Sequence, residues 1–105
     1  MLIVAGTFEM APEDRAAFLE SRTQAILASR AEDGCVDYAF SADSVDPGKV
    51  RLFECWASQA ALDTHLARMR ASREPGGAPA APEVTVTDRS VGIYDIAGDG
   101  PRPLG

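Results

Sequence analysis

With 105 residues the chain has room for one domain and one core, and none for a second. Its apolar share of 46% beside 25% charged residues is the balance of a globular domain, not of a disordered or fibrous chain. The net charge of −6 offers no basic face to nucleic acid or to an anionic membrane, so neither is expected as a partner.

Residues 2–10, LIVAGTFEM, form a short β-rich run. In PEDRAAFLESRTQAILASRAEDG (12–34), Pro12 stands at a first helical position, Glu13 and Asp14 fill the first turn and Gly34 is a stop signal, which predicts one long helix. Its apolar stripe runs through Phe18, Leu19, Ile26 and Leu27. Arg22 and Thr23 interrupt the stripe. A guanidinium there either snorkels to the rim or faces a cavity, and snorkelling is the simpler expectation.

CVDYAFS (35–41) sets Val36, Tyr38 and Phe40 in strand alternation, VDPG (45–48) turns, and KVRLFECW (49–56) returns as the second arm of a hairpin. The long loop leaves the register of that hairpin open. Ser58 then caps a second helix, QAALDTHLARMRASR (59–73), on which Leu62, His65, Leu66 and Met69 share one face. Arg68, Arg70 and Arg73 crowd its end, where solvated cations complement the helix dipole. EPGGAPAAP (74–82) reads as a mobile loop and EVTVTDRSVGIYDIA (83–97) as a long final strand. The domain is placed at residues 1–97, followed by a tail, GDGPRPLG (98–105), that only a partner would order.

The element order β-α-β-β-α-β predicts an α+β, ferredoxin-like fold with a four-stranded antiparallel sheet and two helices on one face. The third and fourth strands are apolar on both faces: Val50, Leu52 and Trp56 against Phe53 and Cys55, then Val84, Val86 and Ile96 against Val91 and Ile93. Helices cover one face only, so a second copy packed sheet to sheet is the economical cover for the other. A homodimer is expected, and a domain this small gains stability from it.

Cys35 and Cys55 lie in strand-like runs without a CxxC or a histidine at ligand spacing, so no metal site is expected and both are taken as reduced thiols. The opening MLIVAG is too short for a signal peptide, and no apolar run approaches membrane length. A cytoplasmic location follows as the expectation. Phosphate loops, dinucleotide fingerprints and a GxSxG elbow are all missing from the sequence.

The candidate chemistry gathers around His65, the only histidine. On an apolar stripe an imidazole is more often a satisfied core group; the functional alternative is a base facing a gap between helix and sheet. Glu54 and Trp56, two apart in a strand, point to one face. A carboxylate within LFECW is either paired, which is the commoner case, or kept neutral by burial. Trp56 suits core packing or stacking on an aromatic ligand, and Tyr38 and Phe40 add rings on the neighbouring strand.

The run IVAGTF, the stretch AEDGCVDYAFS and the stretch VDPGKVRLFECWASQAALDTHL together resemble the antibiotic biosynthesis monooxygenase domain family. The resemblance is carried by Gly34-Cys35 with Tyr38, by Glu54-x-Trp56-x-Ser58 and by His65, and it covers residues 2 to about 96. It implies a dimeric α+β barrel with a pocket between helices and sheet in each subunit. It also implies, in some members, oxidation of phenols or quinols by dioxygen with no flavin, haem or metal. His65 would then be the base, with Trp56 as catalytic wall. Tyr38, Phe40, Phe53, Glu54 and Arg22 would contact a small aromatic substrate. Two departures limit the transfer. Met69 stands where many relatives have a second histidine, and the chain has no asparagine, with Gly6 and Thr7 near the place where haem-degrading members use one. Haem breakdown is therefore not expected. The family also includes isomerases and proteins without known activity. The alternatives are an isomerase or decarboxylase using the same base, and a non-catalytic stress-response module that binds an aromatic metabolite.

Overall fold

The structure, a computed structural model, describes residues 1–72 and 84–105. In chain order come β1 (Leu2–Met10), one turn of 3-10 helix (Pro12–Asp14), α1 (Arg15–Arg30), β2 (Cys35–Ala42), β3 (Lys49–Trp56), α2 (Gln59–Ser72) and β4 (Val86–Asp95). The strands make one antiparallel sheet in the order β2-β3-β1-β4. This is the ferredoxin-like α+β arrangement that the element order predicts. Arg73 and the loop expected over 74–82 lie outside the described residues.

The first helix is shorter than its start and stop signals suggest. Pro12 opens a 3-10 turn, and the α-helix ends at Arg30. The chain then turns through Glu32, whose N–H donates to the Ser29 carbonyl at 3.1 Å. The real stop is Gly34, at φ +83°, where a Cβ would collide with the side chain of Ala61 on α2. Gly34 thus lets the start of β2 pass close under α2, and its carbonyl accepts the Ala57 N–H at 2.7 Å. Ser58 caps α2 as expected, its Oγ accepting the Ala61 N–H at 3.1 Å.

The hairpin register pairs Tyr38 with Glu54 and Phe40 with Leu52, across from Val4 and Gly6 on β1. Paired residues share a face, so Tyr38, Phe40, Leu52, Glu54 and Trp56 all point toward the helices. There Leu2, Val4, Tyr38, Leu52 and Trp56 pack with Leu62 of α2, and Ile26 of α1 closes the cluster. A second cluster of Met10, Phe18 and Val50 lies beside it. Leu27, expected on the apolar stripe of α1, is 55% exposed instead. The opposite face of the sheet carries Ile3, Ala5, Ala39, Phe53, Cys55 and Tyr94, and no helix among the described residues covers it. Among the described residues no helix is long and apolar enough to cross a membrane.

Candidate functional site

A cavity of about 560 Å³ lies between the helices and the sheet. Its walls are rings: Phe8, Phe18 and Phe40 stand 5.8–6.0 Å apart, centroid to centroid, and Tyr38 is 6.0 Å from Phe40. The alternation of β1 and β2 puts Phe8, Tyr38 and Phe40 on this face, while α1 supplies Phe18. The volume falls in the range that holds small-molecule ligands.

His65 and Glu54 line the same cavity. His65 is only 2% exposed, with Trp56 stacked at a tilt 4.6 Å from its ring and Tyr38 at 5.4 Å. Its Nδ1 is 2.8 Å from Glu32 Oε2, and its Nε2 is 3.8 Å from Glu54 Oε1. A carboxylate only accepts, so the Nδ1–H donates to Glu32 and Nε2 keeps a lone pair on the Glu54 side. Glu32 is in turn gripped by the Nε of Arg68, whose guanidinium also donates to Ser29 Oγ at 3.2 Å. The loop after α1 and the face of α2 thereby orient one ring.

Trp56 Nε1–H donates to Glu54 Oε1 at 2.9 Å. Burial pushes the Glu54 carboxyl up; the Trp56 donor and His65 oppose the rise, and Glu32 adds to it. Burial, reinforced by the charge of Glu54, also pushes the Tyr38 phenol up to about 12. Tyr38 therefore stays a hydrogen-bond donor at neutral pH. Together these groups can accept a proton at His65, accept a hydrogen bond at Glu54 and offer a proton from Tyr38, beside a flat apolar space.

Of the side chains singled out from the sequence, His65, Tyr38, Phe40, Glu54 and Arg22 line this one cavity. Two do not. Trp56 has no exposed surface, because the His65 ring occupies the face that a ligand would need. Its indole N–H reaches Glu54 instead. Phe53 sits opposite Ala5 and Ala39 on the other side of the sheet, one residue out of phase with Leu52 and Glu54. Arg22 lies with its guanidinium carbon 5.1 Å from the Phe18 centroid, along the cavity and not out in solvent.

Glu32 and Arg68 were not singled out by the sequence patterns. A signal for Glu32 existed: an acid just beyond a helix C-terminus opposes the helix dipole and so calls for another partner. Arg68, expected as a solvated cation at a helix end, instead forms an ion pair with Glu32.

The fold and the site define an α+β, ferredoxin-like domain with an oriented imidazole and a buried carboxyl beside a ring-walled cavity. Residues 1–73 match the antibiotic biosynthesis monooxygenase family, and the chain belongs to that family. A candidate antibiotic biosynthesis monooxygenase from Deinococcus radiodurans is similar over 100% of both chains, with a TM-score of 0.73 and 29% identity. The haem degrader MhuD of Mycobacterium tuberculosis covers 96% of this chain and 100% of its own, with a TM-score of 0.70; at 13% identity it shares the fold alone. The uncharacterized protein sll1783 of Synechocystis is 34% identical over 65 residues, which is 62% of this chain and 44% of that protein. The match thus spans under half the length of that relative.

Proposed function

We propose that this protein is a monooxygenase that oxidises an aromatic phenol or hydroquinone with dioxygen, without flavin, haem or metal. The observation that carries this reading is His65, buried on α2, held at Nδ1 by Glu32 and bordering a cavity walled by aromatic rings. Ground-state dioxygen reacts slowly with closed-shell molecules, whereas a phenolate can donate an electron to it. His65 takes the phenol proton at Nε2, Glu32 stabilises the resulting imidazolium, and the Tyr38 hydroxyl donates to the developing oxyanion. The phenoxyl radical and superoxide then combine at a ring carbon. Loss of that carbon's hydrogen as a proton, with cleavage of the O–O bond, leaves a quinone carbonyl. The outer oxygen departs as water, taking the proton held at His65 and the proton released from that carbon. Phenol and dioxygen become quinone and water, and the substrate supplies all four electrons.

The test is dioxygen uptake with a panel of anthrones, phenols and hydroquinones. Labelled dioxygen should place one atom in the quinone. No uptake across the panel would end the oxygenase reading.

Self-association through the helix-free face is part of the same proposal. Phe53 and Tyr94 are 40% and 60% exposed there, beside Ile3, Ala5 and Ala39. An apolar sheet face in contact with water supports a second copy as its cover. The free thiols Cys35 and Cys55 suit a reducing compartment such as the cytoplasm.

A further inference from the structure

We propose that the ligand of this cavity bears an anionic substituent, a carboxylate on its aromatic ring, received by Arg22 and Arg89 with Arg70 beside them. The proposal deepens the oxygenase reading by naming a substrate class, and it rests on the same cavity being the ligand site. Arg22, Arg70 and Arg89 all line that cavity. Among the described residues the other cations within salt-bridge range of acids are Lys49 with Glu9 and Asp46, Arg51 with Asp43, and Arg68 with Glu32. None of the three cavity arginines has such an acid among the described residues. In a chain with 16 acids and 10 bases, three guanidiniums on one hollow with no acid partner among the described residues are a local inversion of the overall charge; Arg22 Nε donates to the Ser21 hydroxyl at 3.3 Å.

Arg22 is half-buried, while Arg70 and Arg89 are exposed at the rim of the hollow, and two of the three lie against rings of its wall. The Arg22 and Arg89 guanidinium carbons lie 5.1 Å and 5.6 Å from the Phe18 and Phe8 centroids, and those two rings are 5.8 Å apart in the wall. A ring entering beside Phe8 and Phe18 brings its substituent up to both guanidiniums. A neutral ligand would strip water from them and return nothing, whereas a carboxylate accepts their planar forks. Glu54, the carboxyl lining this cavity, is engaged by Trp56 and sits beside His65. It does not serve as their partner. The ligand is thus oriented with its acid at the arginines and its phenol toward His65.

The test is calorimetric titration, without dioxygen, of 6-hydroxy-2-naphthoate and of its neutral amide. The acid should bind about ten-fold more tightly at low ionic strength, the effect of one charge-assisted hydrogen-bonded contact. Salt at about 0.5 M should shrink that advantage by screening. The net charge of −6 by itself would favour the amide, so the sign of the preference is diagnostic. Arg22→Gln and Arg89→Gln should each weaken the acid several-fold and leave the amide unchanged, and Arg89→Lys should keep most of the preference. Equal binding of the two probes, tighter binding of the amide, no binding of either, or a preference that survives both glutamine substitutions together would overturn the proposal. Because no dioxygen is consumed, charge preference without oxygenase activity sinks the oxygenase reading alone. Turnover of phenols with equal binding of acid and amide sinks this proposal alone.

Discussion

Nδ1 of His65 lies 2.8 Å from Oε2 of Glu32, a residue 33 positions earlier in the chain, in the turn that closes α1. With Glu32 an ionised acceptor, that bond puts the ring proton on Nδ1 and leaves Nε2 as the proton acceptor of the proposed mechanism. Glu32→Gln keeps the shape but offers only a neutral acceptor for the imidazolium. Loss of a charge-assisted hydrogen bond should lower kcat about 10–100-fold, with KM little changed. Steady-state dioxygen uptake checks this, and an unchanged kcat would remove Glu32 from the machinery.

His65→Ala removes the proposed proton acceptor itself. Turnover should fall about 10²–10⁴-fold, the usual contribution of a positioned base. Circular dichroism should still report a cooperative melt, because Trp56, Leu62 and Tyr38 keep the core around the gap. A collapsed melt with no separate kinetic defect in the folded fraction would return His65 to a packing role.

Glu54 has a folded-state carboxyl raised above its ordinary value of 4.5, chiefly by burial. A raised acid favours the folded state fully below the unfolded value, and that contribution fades as pH climbs through the folded one. Glu54→Gln should therefore flatten the decline in stability above about pH 4.5 and melt higher than the parent at neutral pH. Melting curves from pH 4 to 8 give the comparison, and parallel slopes for the two proteins would contradict it.

Asp43 has the opposite sign. Its carboxylate accepts the N–H groups of Asp46 at 2.7 Å and Val45 at 3.1 Å, and the Nε–H of Arg51 at 2.8 Å, which hold it down at about 2. A depressed acid stabilises above its unfolded value of 3.8 and loses that effect as pH falls toward 2. Asp43→Asn should weaken the β2–β3 loop at neutral pH and remove part of the acid sensitivity between pH 4 and 2. Amide exchange of Val45 and Asp46 reads it locally; exchange rates that match the parent at neutral pH would exclude the role.

Phe53→Asp puts a charge at the centre of the helix-free face without touching the cavity. Sedimentation should show a monomer in place of a dimer. A dimer that persists would move the interface elsewhere.

The architecture was legible because it depends on local signals. Pro12, Gly34, Ser58 and the two hydrophobic periods each act within a few residues, and they named six elements and their order correctly. Boundaries were less legible: α1 stops at Arg30 because Gly34 must pass beneath Ala61, a contact between residues 27 positions apart.

The site was partly legible. His65 stood out because an imidazole on an apolar stripe needs partners, but neither partner could be named. Glu32, Arg68 and the β2–β3 register are matters of chain meeting chain. One step of register decided that Phe40 faces the cavity while Phe53 faces away from it. Along the chain, the sequence determined the alternation and the helical faces, since backbone geometry ties each side chain to its near neighbours. Only the folded structure decided which carboxylates bracket the imidazole and which arginines line the hollow, because those distances arise from packing between elements far apart in the chain.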